Sequence, residues 1–476
     1  MVDSAVNTRP NILLIFPDQH RGDWMPHDDA TCYRLGMEPL PLRMPNVEHI
    51  MRDGVTFTNC MTPSPLCAPA RACLASGLRY ARARVPSNSF NYPVDQRTFY
   101  SVLKEAGYTV GGCGKFDLRK PEHFFAGTGW VPKMAKLGFS KGYAIDNGGK
   151  HDAIRCATTH VDEDGTRKKY KDPLEHEPVC PYMMYLKERG LMMDHVNDFA
   201  KRTKIFGVGL NAEPTTLPDY AYCDNWIGRN GMDIIKSFPT DAPWFLQVNF
   251  VCPHEPWDVT ERMKEAWEDV RFPHSHRGNE YLREQEQAVR QNYAAMLENI
   301  DRNVGLFLEA IEARGDLDNT IIVYSSDHGE MLGDFSMWGK SVPWRGSTNV
   351  PLVISAPGIK GGRRVDALVE TQDLVSTFTD FTGLEMPGAR DSKSLHGILT
   401  GSIDQGHHRH FQVSELDTRS FGVISDGRYK LIMQRDDEGM EHYKLYDLNL
   451  DPWEDDDISG SNEDIMKELS KHYKDR

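Results

Sequence analysis

Asp18 and Gln19 directly follow an apolar run at residues 11–16, and Asp327 and His328 follow another at 320–325. Carboxylate, amide oxygen and imidazole together make a mostly hard-oxygen cage. Such a cage suits Ca²⁺ first, with Mg²⁺ and Mn²⁺ as alternatives, Mn²⁺ being the ion that tolerates the His. Each pair also has a plainer reading: Asp18 as a helix N-cap after a strand, Asp327-His328-Gly329 as a turn. His254 follows a third apolar run, 245–251, through Pro253. It is a candidate proton donor or a satisfied core imidazole. In open α/β sheets ligands bind outside the carboxyl ends of the strands. If the three runs are strands of one such sheet, Asp18, His254 and Asp327 converge although they are far apart in sequence. Cys67 begins the run Cys67-Ala68-Pro69-Ala70-Arg71, with Leu74 and Gly77 following. Taken alone, it is a buried Cys in a Pro-rich loop.

The elements that must position these groups are legible in the apolar pattern. The runs at 11–16, 245–251, 320–325 and 351–355 lack alternation, which predicts strands buried on both faces of a parallel sheet. A helix is predicted over 99–106, with Gly107 as its C-cap. A longer one is predicted over 284–314, where Val289, Tyr293, Met296, Leu297, Ile300, Val304, Phe307, Leu308 and Ile311 keep a 3.6-residue period. Strands alternating with helices give an α/β fold: a large, mostly parallel sheet flanked by helices. Residues 125–222 show no clear period and read as an irregular insertion near the site mouth, either functional or a decorated surface loop. The pattern changes again after residue 400. Segments 421–433 and 444–447 read as short antiparallel strands with an Asp426-Gly427 turn, followed by a solvated acidic turn at 454–457. The expected organisation is a catalytic α/β domain over 1–400 and a smaller C-terminal subdomain on an antiparallel sheet over 401–476.

Composition narrows the partners. A chain of 476 residues holds two or three ordinary units, or one large domain with an appendage. Hydrophobic residues make up 39% and the mean hydropathy is −0.55, as in soluble globular proteins. No run approaches the roughly 20 apolar residues of a membrane span, so no membrane partner is expected. Residues 1–10 lack the apolar stretch of a secretory signal. The expected location is cytoplasmic, unless a signal has been removed. Nine Cys without a CxxC pair argue against a disulfide framework. The formal charge of −15 argues against nucleic acid. It also means that an anionic substrate needs a local basic pocket.

The Cys67-x-Pro-x-Arg71 run resembles the signature of the type I sulfatases of the alkaline phosphatase superfamily. The resemblance extends over most of the chain. Asp18-Gln19 and Asp327-His328 resemble that family's metal pairs. Gly107-Tyr108-Thr109 with Gly114-Lys115 resembles its second signature. Pro253-His254 resembles the segment of the leaving-group His, and Trp338-Gly339-Lys340 that of the second sulfate-binding Lys. Asn88, after Arg79-Tyr80 and Val85, loosely resembles a polar site position, and Tyr446-Asp447-Leu448 with Asp451-Pro452 resembles the C-terminal subdomain.

The resemblance implies that a formylglycine-generating enzyme oxidises Cys67 to formylglycine. The hydrated aldehyde is then the nucleophile and lies beside the metal. It also implies that Arg71 holds the nucleophile's hydroxyl or the metal-side charge, that Lys115 and Lys340 neutralise the sulfate, and that His254 protonates the leaving alcohol. The plain readings are solvated surface lysines and a core His. Ala75, Ser76 and Asp117 depart from the pattern. Asp117 stands where the family has a His that helps deprotonate the hydrate; it is either a base or the partner of a nearby Lys or Arg. His151, in 147–152, is a substrate contact or part of a glycine turn. The implied activity is sulfuric ester hydrolysis of a sulfated carbohydrate, or of a small aryl or alkyl sulfate. The alternatives are a phosphonate monoester or phosphodiester hydrolase, and a non-catalytic binder of sulfated ligands.

Overall fold

The computed structural model describes residues 9–120, 132–146, 149–161, 166–205, 210–404, 406 and 408–475. Its strands are β1 (Asn11–Ile15), β2 (Val55–Met61), β3 (Thr109–Gly114), β4 (Ala144–Asp146), β5 (Thr159–Val161), β6 (Arg167–Lys169), β7 (Trp244–Asn249), β8 (Thr320–Ser325), β9 (Asn349–Ser355), β10 (Arg363–Val365), β11 (Val369–Glu370), β12 (Gln412–Leu416), β13 (Phe421–Ser425), β14 (Tyr429–Arg435) and β15 (Glu441–Asp447). Nine of them form one sheet in the order β10-β2-β9-β8-β1-β7-β3-β4, with β11 also beside β2. At its centre β1 runs parallel to both β7 and β8, so Leu13 sits in register with Leu246 and Ile322.

The central strands are mostly apolar because both faces are covered. Leu13, Ile15, Leu246, Val248 and Tyr324 join one core, under the helices Cys223–Ser237 and Arg283–Ala313. Ile12, Leu14, Phe245 and Val323 join the other, under the helices Cys67–Ser76, Phe99–Glu105 and Asp373–Thr382.

The expected α/β class holds, and three local readings are corrected. The strand expected at 351–355 exists as β9 but runs antiparallel to both β2 and β8; an apolar run encodes burial and carries no direction. The stretch read as irregular, 125–222, holds the helices Gly149–Thr158, Pro181–Glu188 and Met192–Ile205 and contributes β4 to the main sheet; parts of it lie outside the described residues. The acidic turn read as solvated contains a buried Glu454, whose carboxylate pairs with Lys430 at 2.6 Å.

Strands β12–β15 form a separate antiparallel sheet. Its β13–β14 connection is the Asp-Gly turn, with Asp426 N donating to Tyr429 O at 3.1 Å and Gly427 at φ +94°. Phe421 and Val423 face the main core, while Ile424 faces the other side, where Leu469 of the helix Glu463–Lys474 covers it.

Candidate active site

Strand ends bring the polar residues together. Past β1, Asp18 N donates to Phe250 O at 3.0 Å, which ties this turn to the one after β7. Gln19 then takes φ +68°, and its N–H donates to Asp327 Oδ1 at 3.0 Å beyond β8. At the end of β3, Gly114 has φ +97°, and a Cβ there would lie 1.9 Å from Asn249 O. Only glycine allows this crossing, which delivers Lys115 beside Asp18. Cys67 is the first residue of the helix Cys67–Ser76, and its thiol faces the same point.

Arg71 lies one turn further along that helix and is 2% exposed. Its guanidinium donates to Asp327 Oδ2 and Asp18 Oδ2, each at 3.0 Å, to Lys115 O at 2.6 Å and to Asn249 Oδ1 at 3.1 Å. One buried cation thus ties the ends of four strands to the Cys67 helix. Lys115 Nζ lies 2.6 Å from Asp18 Oδ2 and 3.4 Å from Cys67 Sγ, and His328 Nε2 lies 3.2 Å from that sulfur.

The charges support one another. Burial pushes the Asp18 carboxyl up, and Lys115, His254 and Arg71 pull it down by more, to well below the carboxylate range. Burial and Asp18 raise the Cys67 thiol, and Lys115, Lys340 and His328 outweigh them and leave it below its ordinary value. Burial lowers His328, while Asp327 and Cys67 raise it by more, to about 9.

Ligand atoms of Asp18, Cys67, Asp327 and His328 all lie within 4.8 Å of one another. Asp18 Oδ1 has the Cys67 thiol at 3.9 Å as its hydrogen-bond partner and otherwise faces this cluster. Two buried carboxylates and an imidazole around one point fit a divalent cation. Gln19, also expected among the ligands, has its Oε1 accepting from Lys340 and its Nε2 donating to Glu255 at 2.7 Å and to Glu330.

A pocket of about 440 Å³ opens onto Cys67; its wall includes Asn88, Lys115, Lys120, His151, His254 and Lys340. His254 Nε2 is 2.5 Å from Lys340 Nζ, and its Nδ1 is 2.5 Å from Glu255 O. Burial holds His254 well below its ordinary pKa, with Glu255 opposing and Lys340 and Lys115 adding to the effect. Asn88 Oδ1 accepts from Ala68 N at 3.0 Å, so it also caps the Cys67 helix. His151 lies on the helix Gly149–Thr158, its ring 5.7 Å from that of His254. Asp117, at φ +54°, is buried with Lys120 Nζ at 2.6 Å and Lys115 Nζ at 3.5 Å. It is therefore a partner of nearby lysines, one of the two readings the sequence left open.

Sequence reasoning missed Asn249, Glu255, Glu330 and Lys120. Asn249 carried a signal, since a polar residue closing a buried apolar strand needs a partner. Glu255, directly after His254, carried a weaker one. Lys120 carried none.

A sulfatase family profile matches residues 10–384. A second profile, described as N-sulphoglucosamine sulphohydrolase, C-terminal, matches residues 333–476. An N-acetylglucosamine-6-O-sulfatase of Bacteroides thetaiotaomicron is 25% identical, over 98% of this chain and 87% of its own length. An arylsulfatase of Clostridium perfringens is 27% identical, over 96% of this chain and 91% of its own. A solved protein in complex with its substrate D-glucosamine-2-N,6-O-disulfate superposes with a TM-score of 0.72 at 21% identity, over 98% of this chain and 97% of that one. Sheet, strand-end site and profile together define a hydrolase of the alkaline phosphatase superfamily. Within it, the chain belongs to the sulfatase family and is an enzyme of that family.

Proposed function

We propose that the protein hydrolyses sulfate esters of a carbohydrate, with position 67 as the nucleophile after a formylglycine-generating enzyme has oxidised Cys67. The observation that carries this reading is the Cys67 thiol, 3.2 Å from His328 and 3.4 Å from Lys115 at the floor of a cation-walled pocket. The names of the relatives favour an amino-sugar sulfate.

Formylglycine at 67 supplies a hydrated aldehyde, the nucleophilic oxygen that a thiol lacks. A divalent cation held by Asp18, Asp327, His328 and position 67 supplies charge neutralisation and a lowered oxygen pKa when bound. Ca²⁺ is the first choice once position 67 offers oxygen in place of sulfur. The chain's own residues do the rest. Lys115 and Lys340 neutralise the sulfate oxygens and the charge that grows on them. Arg71 holds both carboxylates in place. His254 delivers a proton to the departing alcohol oxygen. Burial first, and then Lys340 and Lys115, oppose its protonation; a bound sulfate would offset the contribution of the two lysines.

The test is a peptide mass spectrum across residue 67 of protein produced with the maturation enzyme, with turnover of matched sulfate and phosphodiester esters. The expected result is an aldehyde at 67, preference for the sulfate ester, and no turnover by Cys67→Ala. Full activity with an unmodified thiol would overturn the reading. Preference for the phosphodiester would replace it with phosphonate or phosphodiester hydrolysis.

A further inference from the structure

The pocket contains a cation that none of the motifs predicted. Lys120 lies on its wall with Cys67, Lys115 and Lys340, and its side chain is 13% exposed. Its ammonium is 2.6 Å from Asp117 Oδ2 and 3.3 Å from Asp152 Oδ2. Lys115 Nζ lies 3.5 Å from the same Asp117 oxygen. A single carboxylate oxygen therefore stands between two ammonium groups that both border the nucleophile's pocket.

We propose that Lys120 binds the sulfate group of the substrate as a third cation beside Lys115 and Lys340, and that Asp117 is the positioning residue that holds Lys120 there. The inference rests on the sulfate-ester reading above and adds a binding residue to it. An ammonium has three donors. Asp117 accepts one of those on Lys120 and Asp152 pairs with its charge, so among the described residues a donor remains for a group in the pocket. Lys115 is already committed to Asp18 and the position-67 side chain, so it cannot balance a sulfate alone. The pairing also removes an objection to Asp117. An isolated carboxylate at that place would repel a sulfate; paired with Lys120 it adds no net charge, much as a neutral imidazole would.

The experiment uses the matured full-length enzyme with nitrophenyl sulfate as substrate and inorganic sulfate as competitive inhibitor. Lys120→Met is expected to raise KM and the sulfate inhibition constant about tenfold or more, the usual effect of losing one charge-assisted hydrogen bond, with a much smaller change in kcat. Lys120→Arg should recover most of the loss. Asp117→Asn should also weaken sulfate binding, and should add little in the Lys120→Met background, because the two act as one unit. Thermal melting screens each variant for folding, with Lys120→Gln in reserve if Lys120→Met does not fold.

Unchanged KM and inhibition constant in Lys120→Met would overturn the assignment of Lys120. Unchanged or tighter sulfate binding in Asp117→Asn, with kcat reduced equally in both backgrounds, would make Asp117 a base and overturn its positioning role. Calorimetric titration of inorganic sulfate into Cys67→Ala, with and without Lys120→Met, reads the same contact without turnover. Weaker binding there, together with a matured wild-type enzyme that hydrolyses no sulfate ester, would sink the sulfate-ester reading and leave Lys120 standing.

Discussion

As the proposed proton donor, His254 would decide which leaving groups the site can expel. Its Nε2 faces Lys340 at 2.5 Å and Asp18 Oδ1 at 3.9 Å, so one edge of the ring borders both the anion-binding cation and the buried carboxylate. A sugar alcohol leaves as a basic alkoxide and needs a proton, whereas nitrophenolate is stable without one. General-acid catalysis is worth roughly 10²–10⁴-fold where the proton is needed. His254→Ala is therefore expected to lose that much kcat/KM on a sugar sulfate and far less on nitrophenyl sulfate. Comparing the two losses in one preparation separates proton donation from sulfate holding. Equal losses would assign His254 to holding the sulfate and leave the proton to another group.

At the scale of elements, the loop after β7 is held by a residue that no motif singles out. Lys150, 4% exposed in the first turn of the helix Gly149–Thr158, donates to Pro256 O at 2.8 Å, to His254 O at 3.4 Å and to Asp258 Oδ1 at 2.6 Å. It ties the inserted helix to the loop that aims His254. Lys150→Met should lower kcat/KM about 10–100-fold, by analogy with other residues that orient a working side chain, and more on the sugar sulfate than on the aryl sulfate. A uniform loss that tracks melting temperature would show support of the fold alone.

The same region marks the limit of what was legible. β1, β7 and β8 announced themselves because burial on both faces makes their interiors largely apolar, and the residues at their ends could be read as site residues from that alone. The helices at 149–158, 181–188 and 192–205 did not: buried Lys150 and Asp152 break the apolar period of the first, the second is a short near-continuous apolar run, and the third mixes His, Asp, Asn and Lys among its apolar residues. β12 was missed because its buried Gln412, Ser414 and Glu415 break the pattern; Gln412 Nε2 donates to Val369 O and Asn59 O at 2.6 and 2.8 Å. Glu454 and Lys120 were unreadable for a common reason: a charged residue's partner is a tertiary fact.

Across the whole molecule, the site is also a junction. Asp18, Cys67, Lys115 and Asp327 come from four separate parts of the chain, and their contacts run through one buried guanidinium. Two carboxylates at 0% exposure are held there by Arg71 and Lys115, since a buried charge needs such partners. A cation bound at Asp18, Asp327 and His328 adds compensation that exists in the folded chain alone. Such binding stabilises by about 2.7 kcal/mol when free cation exceeds its Kd a hundredfold. In a protein of this size that is a rise of a few degrees in melting temperature. Melting should therefore shift up with added Ca²⁺ and down after exhaustive chelation, and sulfatase activity should vanish and return with the shift. Asp327→Asn should abolish both responses, because it removes a ligand charge and unbalances Arg71. The measurement is a pair of melts and assays on each protein, with elemental analysis of the metal content. Full activity in a chelated wild-type protein containing no detectable metal would show that Asp18 and Asp327 serve as partners for Arg71 and Lys115, and that the cluster works without an ion.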